Sequence, residues 1–380
     1  MSPEGGGVAE GVTRQAQIAH SAGIYETEIV CLDDPSRAYF ESDDFLVHAV
    51  GPGLGKYGYT PRLDKWLKAN LGRFDGVVIN GLWQYHAWAA SRACRGGVPY
   101  LVFTHGMLDP WFQRRYPLKH FKKVLYWKAV EEGVLRHAKA VLFTSALEAE
   151  LAKQSFSPSE WTSAVVPFGT IAPGGDRDTP IQEFYAACPH ARGRKFVLFL
   201  GRLHEKKGCD LLIAAFARCF GGDSSLHLVM AGPDQQGCKA KLMSIAADAG
   251  IADRVHFPGM LQGGAKWGAF YAAEAFALPS HQENFGIAVA EALACGTPVL
   301  ISNQVNIWQE IVEDGVGLAE EDTVEGTCQL LNRWESLSTS AKVEMGARCR
   351  ATFERRFDIQ RLPKVIAEVL RRTQPPAGRV

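Results

Sequence analysis

Two clusters in the second half of the chain have residue types and spacings suited to chemistry on a phosphate ester. The first reads Phe196-Val197-Leu198-Phe199-Leu200-Gly201-Arg202-Leu203-His204-Glu205-Lys206-Lys207-Gly208, an apolar strand ending in a glycine, an arginine and a lysine pair just before a helix start. Cations at the carboxyl end of a parallel strand, beside a helix amino terminus, make a seat for a diphosphate, because guanidinium, ammonium and leading amides all neutralise phosphate oxygens. A basic surface turn would carry the same string, so the second cluster decides. It runs from Leu278 to Val299, with Glu283 in a loop that contains Gly286, and Glu291 eight positions later in a helix of small apolar residues. A carboxylate among Ala and Leu is costly to bury without a partner. A vicinal diol, such as a ribose, would engage both oxygens of Glu291.

A third cluster, Trp111 to Lys128, interleaves aromatic residues with Arg114, Arg115, Lys119, Lys122 and Lys123. Such a stripe suits an anionic membrane interface. Alternatively Phe121, Val124, Leu125 and Trp127 partly pack in the domain and the lysines form a solvated face. Asp176-Arg177-Asp178 reads as a solvated charge cluster, and no metal site is expected. The nine cysteines are scattered and never form Cys-x-x-Cys, which fits reduced thiols in a cytoplasmic protein better than a disulfide scaffold or a closed zinc site. Equal numbers of acidic and basic residues, 41 each, argue against a surface that coats nucleic acid. The longest apolar stretch, Ile287 to Ile301, is interrupted by Glu291, Gly296 and Pro298, so no membrane span is expected.

These residues need strands and helices to bring them together. Short apolar runs are expected to form strands at 28–32, 47–50, 76–79, 100–104, 140–144 and 165–166, then at 196–200, 226–231, 254–257, 275–278 and 298–301. Helical spacing between the later runs, at 210–220, 239–249, 264–273 and 287–294, predicts an α/β fold of two doubly wound parallel domains. The Gly, Pro and charge content of 171–194 reads as a linker between a domain of residues 1–170 and a domain of residues 195–357. The helical tail, 358–380, is expected to pack back onto the first domain. Gly5-Gly6-Gly7 stands at the chain start with no apolar strand before it, whereas a phosphate-binding glycine loop follows a first strand. The first amino-terminal strand therefore reads as missing, or as lying upstream.

Gly201-Arg202 through Lys207-Gly208, the Glu283 to Glu291 spacing and Ala294-Cys295-Gly296-Thr297-Pro298-Val299, taken together, strongly resemble retaining glycosyltransferases of family 4, which have the GT-B fold of two Rossmann-like domains facing across a cleft. Gly81-Leu82-Trp83 and Thr104-His105-Gly106-Met107-Leu108-Asp109-Pro110 occur in the order seen in bacterial polysaccharide-assembly members, so the resemblance covers nearly the whole chain. It implies that Gly201, Arg202 and Lys207 bind the donor diphosphate. Glu283 and the backbone of Asn284, Phe285, Gly286 and Ile287 would hold the donor sugar, and Glu291 the ribose. Gly232, Pro258 and Leu261 would line the nucleobase with Lys266 close by, and Gly6 and Gly7 would lie near the diphosphate. His105 would face the donor sugar from the acceptor domain, which makes His105, Arg202, Lys207 and Glu283 the catalytic set.

The implied activity is hexosyl or related transfer from a nucleotide sugar, with retention, by front-face attack and without metal or other cofactor. The implied acceptor is a lipid-linked saccharide in exopolysaccharide or lipopolysaccharide assembly, at the inner face of the cytoplasmic membrane, with no nucleic-acid partner. A nucleotide-sugar epimerase, or a catalytically impaired partner protein that keeps the fold, are the alternatives.

Overall fold

The computed structural model describes residues 6–36, 43–111, 113, 117–222, 225–235 and 237–372. It divides into two compact units, Met1–Pro167 with Ile359–Val380, and Phe168–Asp358.

In the first unit β1 (Glu28–Cys31) pairs in parallel with β2 (Leu46–Ala49), and β3 (Val77–Asn80), β4 (Tyr100–Phe103), β5 (Ala140–Phe143) and β6 (Ser163–Val165) form a parallel sheet in that order. β4 and β5 are buried along their whole length. Unbroken apolar runs such as Tyr100-Leu101-Val102-Phe103 belong in a sheet covered on both faces, where no solvent face demands alternation. Helix Leu362–Arg371 packs on helix Gly6–Ser21, sets Leu370 against Gly76 and accepts a hydrogen bond from Lys139 Nζ at the Leu370 carbonyl. Gly6 and Gly7 open that first helix, so they are helical residues rather than the strand-to-helix loop expected of them. Among the described residues no strand precedes this helix.

In the second unit β7 (Lys195–Leu200), β8 (Leu226–Ala231), β9 (Val255–Gly259), β10 (Ala275–Leu278), β11 (Val299–Ser302) and β12 (Gly317–Glu320) form one parallel sheet in the order β12-β11-β10-β7-β8-β9. The chain winds outward from β7 to β9, then returns to β10 on the other side of β7. Where winding reverses, the connections leave β7 and β10 in opposite directions and open a crevice at their carboxyl ends, which is where ligands settle in open α/β sheets. β12 escapes the sequence reading because Gly317-Leu318-Ala319-Glu320 is short and half-exposed at the sheet edge.

The expected linker, 171–194, is not one. It lies inside the second unit and forms helix Asp178–Ala187 and a short turn Pro189–Ala191, with Phe184 and Ala191 fully buried. This helix packs closely on helix Gly263–Ala272. A Cβ at Gly268 would lie 1.9 Å from the Pro180 carbonyl oxygen, so only glycine permits the approach. Asp176 accepts hydrogen bonds from the amides of Asp178 and Thr179 at 2.9 and 3.0 Å, which holds its carboxyl below the usual range and starts the helix. The Gly, Pro and charge content misled because it belongs to a helix start rather than to an interdomain segment.

Candidate functional site

The crevice of the second unit takes one wall from the segment after β7 and one from the segment after β10. After β7 the chain makes a short turn, Glu205–Lys207, capped by the His204 side chain, which accepts from the Lys206 amide at 3.0 Å. Gly208 then turns left-handed (φ 65°) into helix Cys209–Phe220. A side chain there would drive its Cβ to 2.1 Å from the Pro279 carbonyl oxygen. Glycine at 208 thus lets the two walls touch.

Lys207 Nζ makes an ion pair with Glu283 Oε2, with both side chains mostly buried. Burial, then the positive charges of Lys206 and Arg202, pull the Lys207 ammonium down to about 8. Arg202 is exposed and donates from Nη1 to Gln235 Oε1 at 3.3 Å. Glu283 is pinned by its own backbone, which donates to Gln304 O and accepts from the Asn306 amide, each at 3.0 Å. Beyond it, Gly286 caps helix Ile287–Ala294 with no side-chain hydrogen bond. The leading amides of that helix therefore meet the crevice without a competing side chain.

The structure brings Arg202, Lys207, Glu283, Asn284, Phe285, Gly286 and Ile287 onto these two walls. It also shows what the sequence left open at Glu291. The buried carboxylate meets Lys266, with Nζ to Oε1 at 2.7 Å, and Lys266 Nζ lies 4.3 Å from the Trp267 ring centre. A ribose is therefore not needed to explain how Glu291 is tolerated in the interior. Gly232 donates its amide to Gly259 O at 2.8 Å, tying the loop after β8 to the end of β9, next to the buried Leu261 and the half-buried Pro258. Among the described residues no group of three His, Cys, Asp or Glu side chains is disposed to hold a metal ion.

In the first unit His105 follows β4 with φ 48°, a left-handed conformation that a non-glycine residue adopts only when its surroundings enforce it. Its Nε2 lies 2.9 Å from Asn80 Oδ1 and its ring stacks on Phe103. Burial pulls its pKa down to about 4, so the imidazole is neutral at ordinary pH. The turn beneath is fixed by Glu148, which accepts from the Gly106 amide at 2.9 Å and from the Thr144 amide and hydroxyl at 2.7 Å each. Neither Asn80 nor Glu148 was found from the sequence. The available signal, Ser145 three residues before Glu148, reads as a capping box, and Ser145 does accept from the Glu148 amide at 3.1 Å. It gives no hint that the carboxylate also anchors the loop after β4.

Arg114 and Arg115 lie outside the described residues. Lys119 and Lys122 are exposed on helix Pro117–Tyr126. Lys123 is not part of that solvated face. Its Nζ lies 4.3 Å from the ring centre of Trp83, beside the fully buried Glu131, which accepts from the Trp83 amide at 2.5 Å. Burial pushes Glu131 up to about 7. Trp83 itself has φ 71°, and Glu131 ends a π-helical turn, Trp127–Glu131. The alternative packing of this region fails for Phe121 and Leu125, which are 65% and 59% exposed beside Leu118 at 85%, while Trp127 is fully buried. Among the described residues no helix is long and apolar enough to cross a membrane.

Residues 6–169 match the family model described as Glycosyl transferase 4-like domain, and residues 181–350 the model described as Glycosyl transferases group 1. A D-inositol 3-phosphate glycosyltransferase of Actinosynnema mirum is 32% identical over 197 residues, 49% of this chain and 46% of that protein. The chain spans about half the length of the curated relatives it matches. Among solved structures, Anabaena HepE in complex with UDP and glucose superimposes with a TM-score of 0.72 at 18% identity, covering 96% of each chain. WaaG, a glycosyltransferase involved in lipopolysaccharide biosynthesis, gives 0.67 at 17% identity and covers 97% of each chain.

Proposed function

Because the chain belongs to the glycosyltransferases of the family 4 type, with the GT-B fold, we propose that it moves a hexose or related sugar from a nucleoside-diphosphate sugar to a saccharide acceptor, with retention and without a metal. The observation that carries this reading is the meeting of Arg202, Lys207 and the open start of helix Ile287–Ala294 at one crevice. Fixed cations and amides neutralise a departing diphosphate where its charge develops, and that is the task a metal performs in other transferases. Glu283, paired with Lys207, holds the sugar hydroxyls. Glu291 and Lys266 hold the ribose and the base edge. Gly201 lies with Arg202 and Lys207 at the diphosphate, and Gly232, Pro258 and Leu261 shape the nucleobase pocket. His105, neutral and oriented by Asn80, takes part in transfer as a hydrogen-bonding group. The acceptor hydroxyl attacks on the face the diphosphate leaves, and the leaving phosphate takes its proton.

Calorimetry with UDP, ADP and GDP, followed by transfer assays and NMR of the product anomer, tests this. The expected result is one tight nucleoside diphosphate, a product with the donor's anomeric configuration, and activity that survives a chelator. An inverted product, or activity abolished by chelator and restored by Mg²⁺, overturns the stated mechanism.

The acceptor side rests on helix Pro117–Tyr126, where Leu118, Phe121 and Leu125 stand at spacings of three and four on one exposed face with Lys119 and Lys122 beside them. This face suits the anionic inner surface of the cytoplasmic membrane and a lipid-linked saccharide. The lipopolysaccharide role of WaaG supports such a reading, whereas D-inositol 3-phosphate, named for the curated relatives, is not a lipid and lends it nothing. Changing Leu118, Phe121 and Leu125 together to Ser should abolish co-sedimentation with anionic vesicles while preserving transfer to a water-soluble acceptor. Equal sedimentation of both proteins removes the membrane from the proposal.

A further inference from the structure

His281 joins three segments of the second unit. Its imidazole Nδ1 lies 2.8 Å from Asp322 Oδ2, in the turn after β12, with each side chain about a third exposed. Its backbone amide donates to the Lys206 carbonyl at 2.9 Å, in the turn that presents Lys207. Two residues further along the same segment is Glu283, the partner of Lys207. The ion pair is thus bracketed by a backbone link between its two supporting segments, and that link belongs to the residue that Asp322 holds.

Asp322 is not occupied with capping. The following helix, Val324–Ser336, is capped by Thr323, whose hydroxyl accepts from the Gly326 amide at 2.9 Å. The Asp322 carboxylate is therefore available to accept the Nδ1 proton, which fixes one tautomer and one ring orientation. Neighbouring Ser280 is tied down separately, its carbonyl accepting from the Ser302 hydroxyl. Like the Glu283 ion pair, the His281 amide reaches the lysine turn, and it does so through the backbone.

We propose that His281 and Asp322 form a positioning dyad that holds the Glu283 segment against the Lys206–Lys207 turn, so that both are in place when a nucleoside diphosphate arrives. The inference rests on the transferase reading of this crevice. The dyad preorganises Lys207 and Glu283 before the diphosphate arrives, and without it a bound diphosphate still draws the two segments together, so the cost falls on donor affinity and not on the chemical step.

The test uses the full chain, with the diphosphate among UDP, ADP and GDP that the wild type binds most tightly. His281→Ala and Asp322→Ala should each weaken it about tenfold, the worth of one charge-assisted hydrogen bond. KM for the nucleotide sugar should rise to match, with kcat unchanged within about twofold. His281→Asn, whose amide N–H can replace the Nδ1 proton, should recover most of the affinity. The double variant should bind no more weakly than either single variant, as expected for two members of one contact. Losses that multiply in the double variant, failure of His281→Asn to recover, or a loss in kcat rather than KM overturn the dyad. A wild type that binds a diphosphate while His281→Ala binds it equally well overturns the dyad alone. A wild type that binds none overturns the transferase reading and the dyad with it.

Discussion

In the second unit the carboxylates of the site meet cations, Glu283 touching Lys207 and Glu291 lying 2.7 Å from Lys266. In the first unit burial instead pushes two groups near the candidate histidine turn and the aromatic stripe towards neutrality, His105 down to about 4 and Glu131 up to about 7. An ion pair at the end of a strand can exchange its partner for a phosphate or a hydroxyl without leaving either charge bare. Held neutral by burial, His105 and Glu131 serve as fixed hydrogen-bonding shapes, Glu131 even with Lys123 beside it. The candidate donor residues of the second unit are thus built to bind charge, and these two residues of the first to hold form.

The largest effect expected from this contrast is at Lys207. Lys207→Ala should lower kcat by about a hundred- to a thousandfold, the usual cost of removing one preorganised charge from a developing anion. It also leaves Glu283 facing the incoming phosphate without its cation. Thermal unfolding of the variant separates this loss from misfolding, and Lys207→Arg should recover part of the rate. A variant with near-normal kcat would place charge compensation elsewhere in the crevice.

Glu131 tests the other side of the comparison through stability. Its folded pKa of about 7 lies above that of an unfolded chain, so the folded state binds the extra proton and its stability is greatest at low pH. The contribution of Glu131 to stability should fall as pH rises from about 4.3 through about 7, by about 3.5 kcal/mol in all. Glu131→Gln keeps the hydrogen bond from the Trp83 amide and cannot ionise. Denaturant melts should therefore show the variant gaining on the wild type from pH 5 to pH 8. Parallel curves would mean that Glu131 is charged when folded, and the contrast between the units would fail there.

This difference also explains how much was legible in the sequence. The second unit's site is contiguous: Gly201 to Gly208 and Glu283 to Glu291 each span a strand end and a helix start, so local order already implied spatial order. The apolar runs of β4, β5, β7, β8 and β10 were equally plain, because strands buried on both faces need no alternation. What escaped depends on distant partners. Glu291 calls for a counter-ion, but nothing local points to Lys266, 25 residues away. Glu131 sits among Val130, Glu132 and Gly133 and reads as a surface helix until the fold buries it under Trp83. Lys123 looked like one more cation of a basic stripe because its ring partner comes from another element.

Glu291→Gln sharpens the second unit's side of the comparison at a smaller scale. The amide offers one acceptor oxygen where the carboxylate offers two, and Lys266 loses its counter-charge. Affinity for the nucleoside diphosphate should fall about thirtyfold, within the range for hydrogen bonds to a charged group. The free nucleobase, which lacks ribose, should lose little. Unchanged diphosphate affinity by calorimetry would confine Glu291 to its ion pair with Lys266 and remove it from the ribose.

The smallest effect is also the most direct reading of Lys207 as an exchangeable cation. In the free protein its ammonium is pulled down to about 8 by burial and by Lys206 and Arg202. A bound diphosphate puts negative oxygens beside it and raises that value, because an opposite charge favours the protonated form. Binding above the free pKa must therefore take up a proton, and affinity falls as pH rises through about 8. From about pH 7 to about pH 8.5 the loss from the lysine should be about fourfold, the terminal phosphate being already mostly ionised at about pH 7. Calorimetry in buffers of different ionisation enthalpy should register proton uptake at the upper end and little at the lower. Lys207→Arg should flatten the profile, since a guanidinium keeps its charge at every pH in the series. A profile as steep in Lys207→Arg as in the wild type would assign the titration to another group, and Lys207 would then be a cation committed to Glu283 rather than one that a ligand can claim.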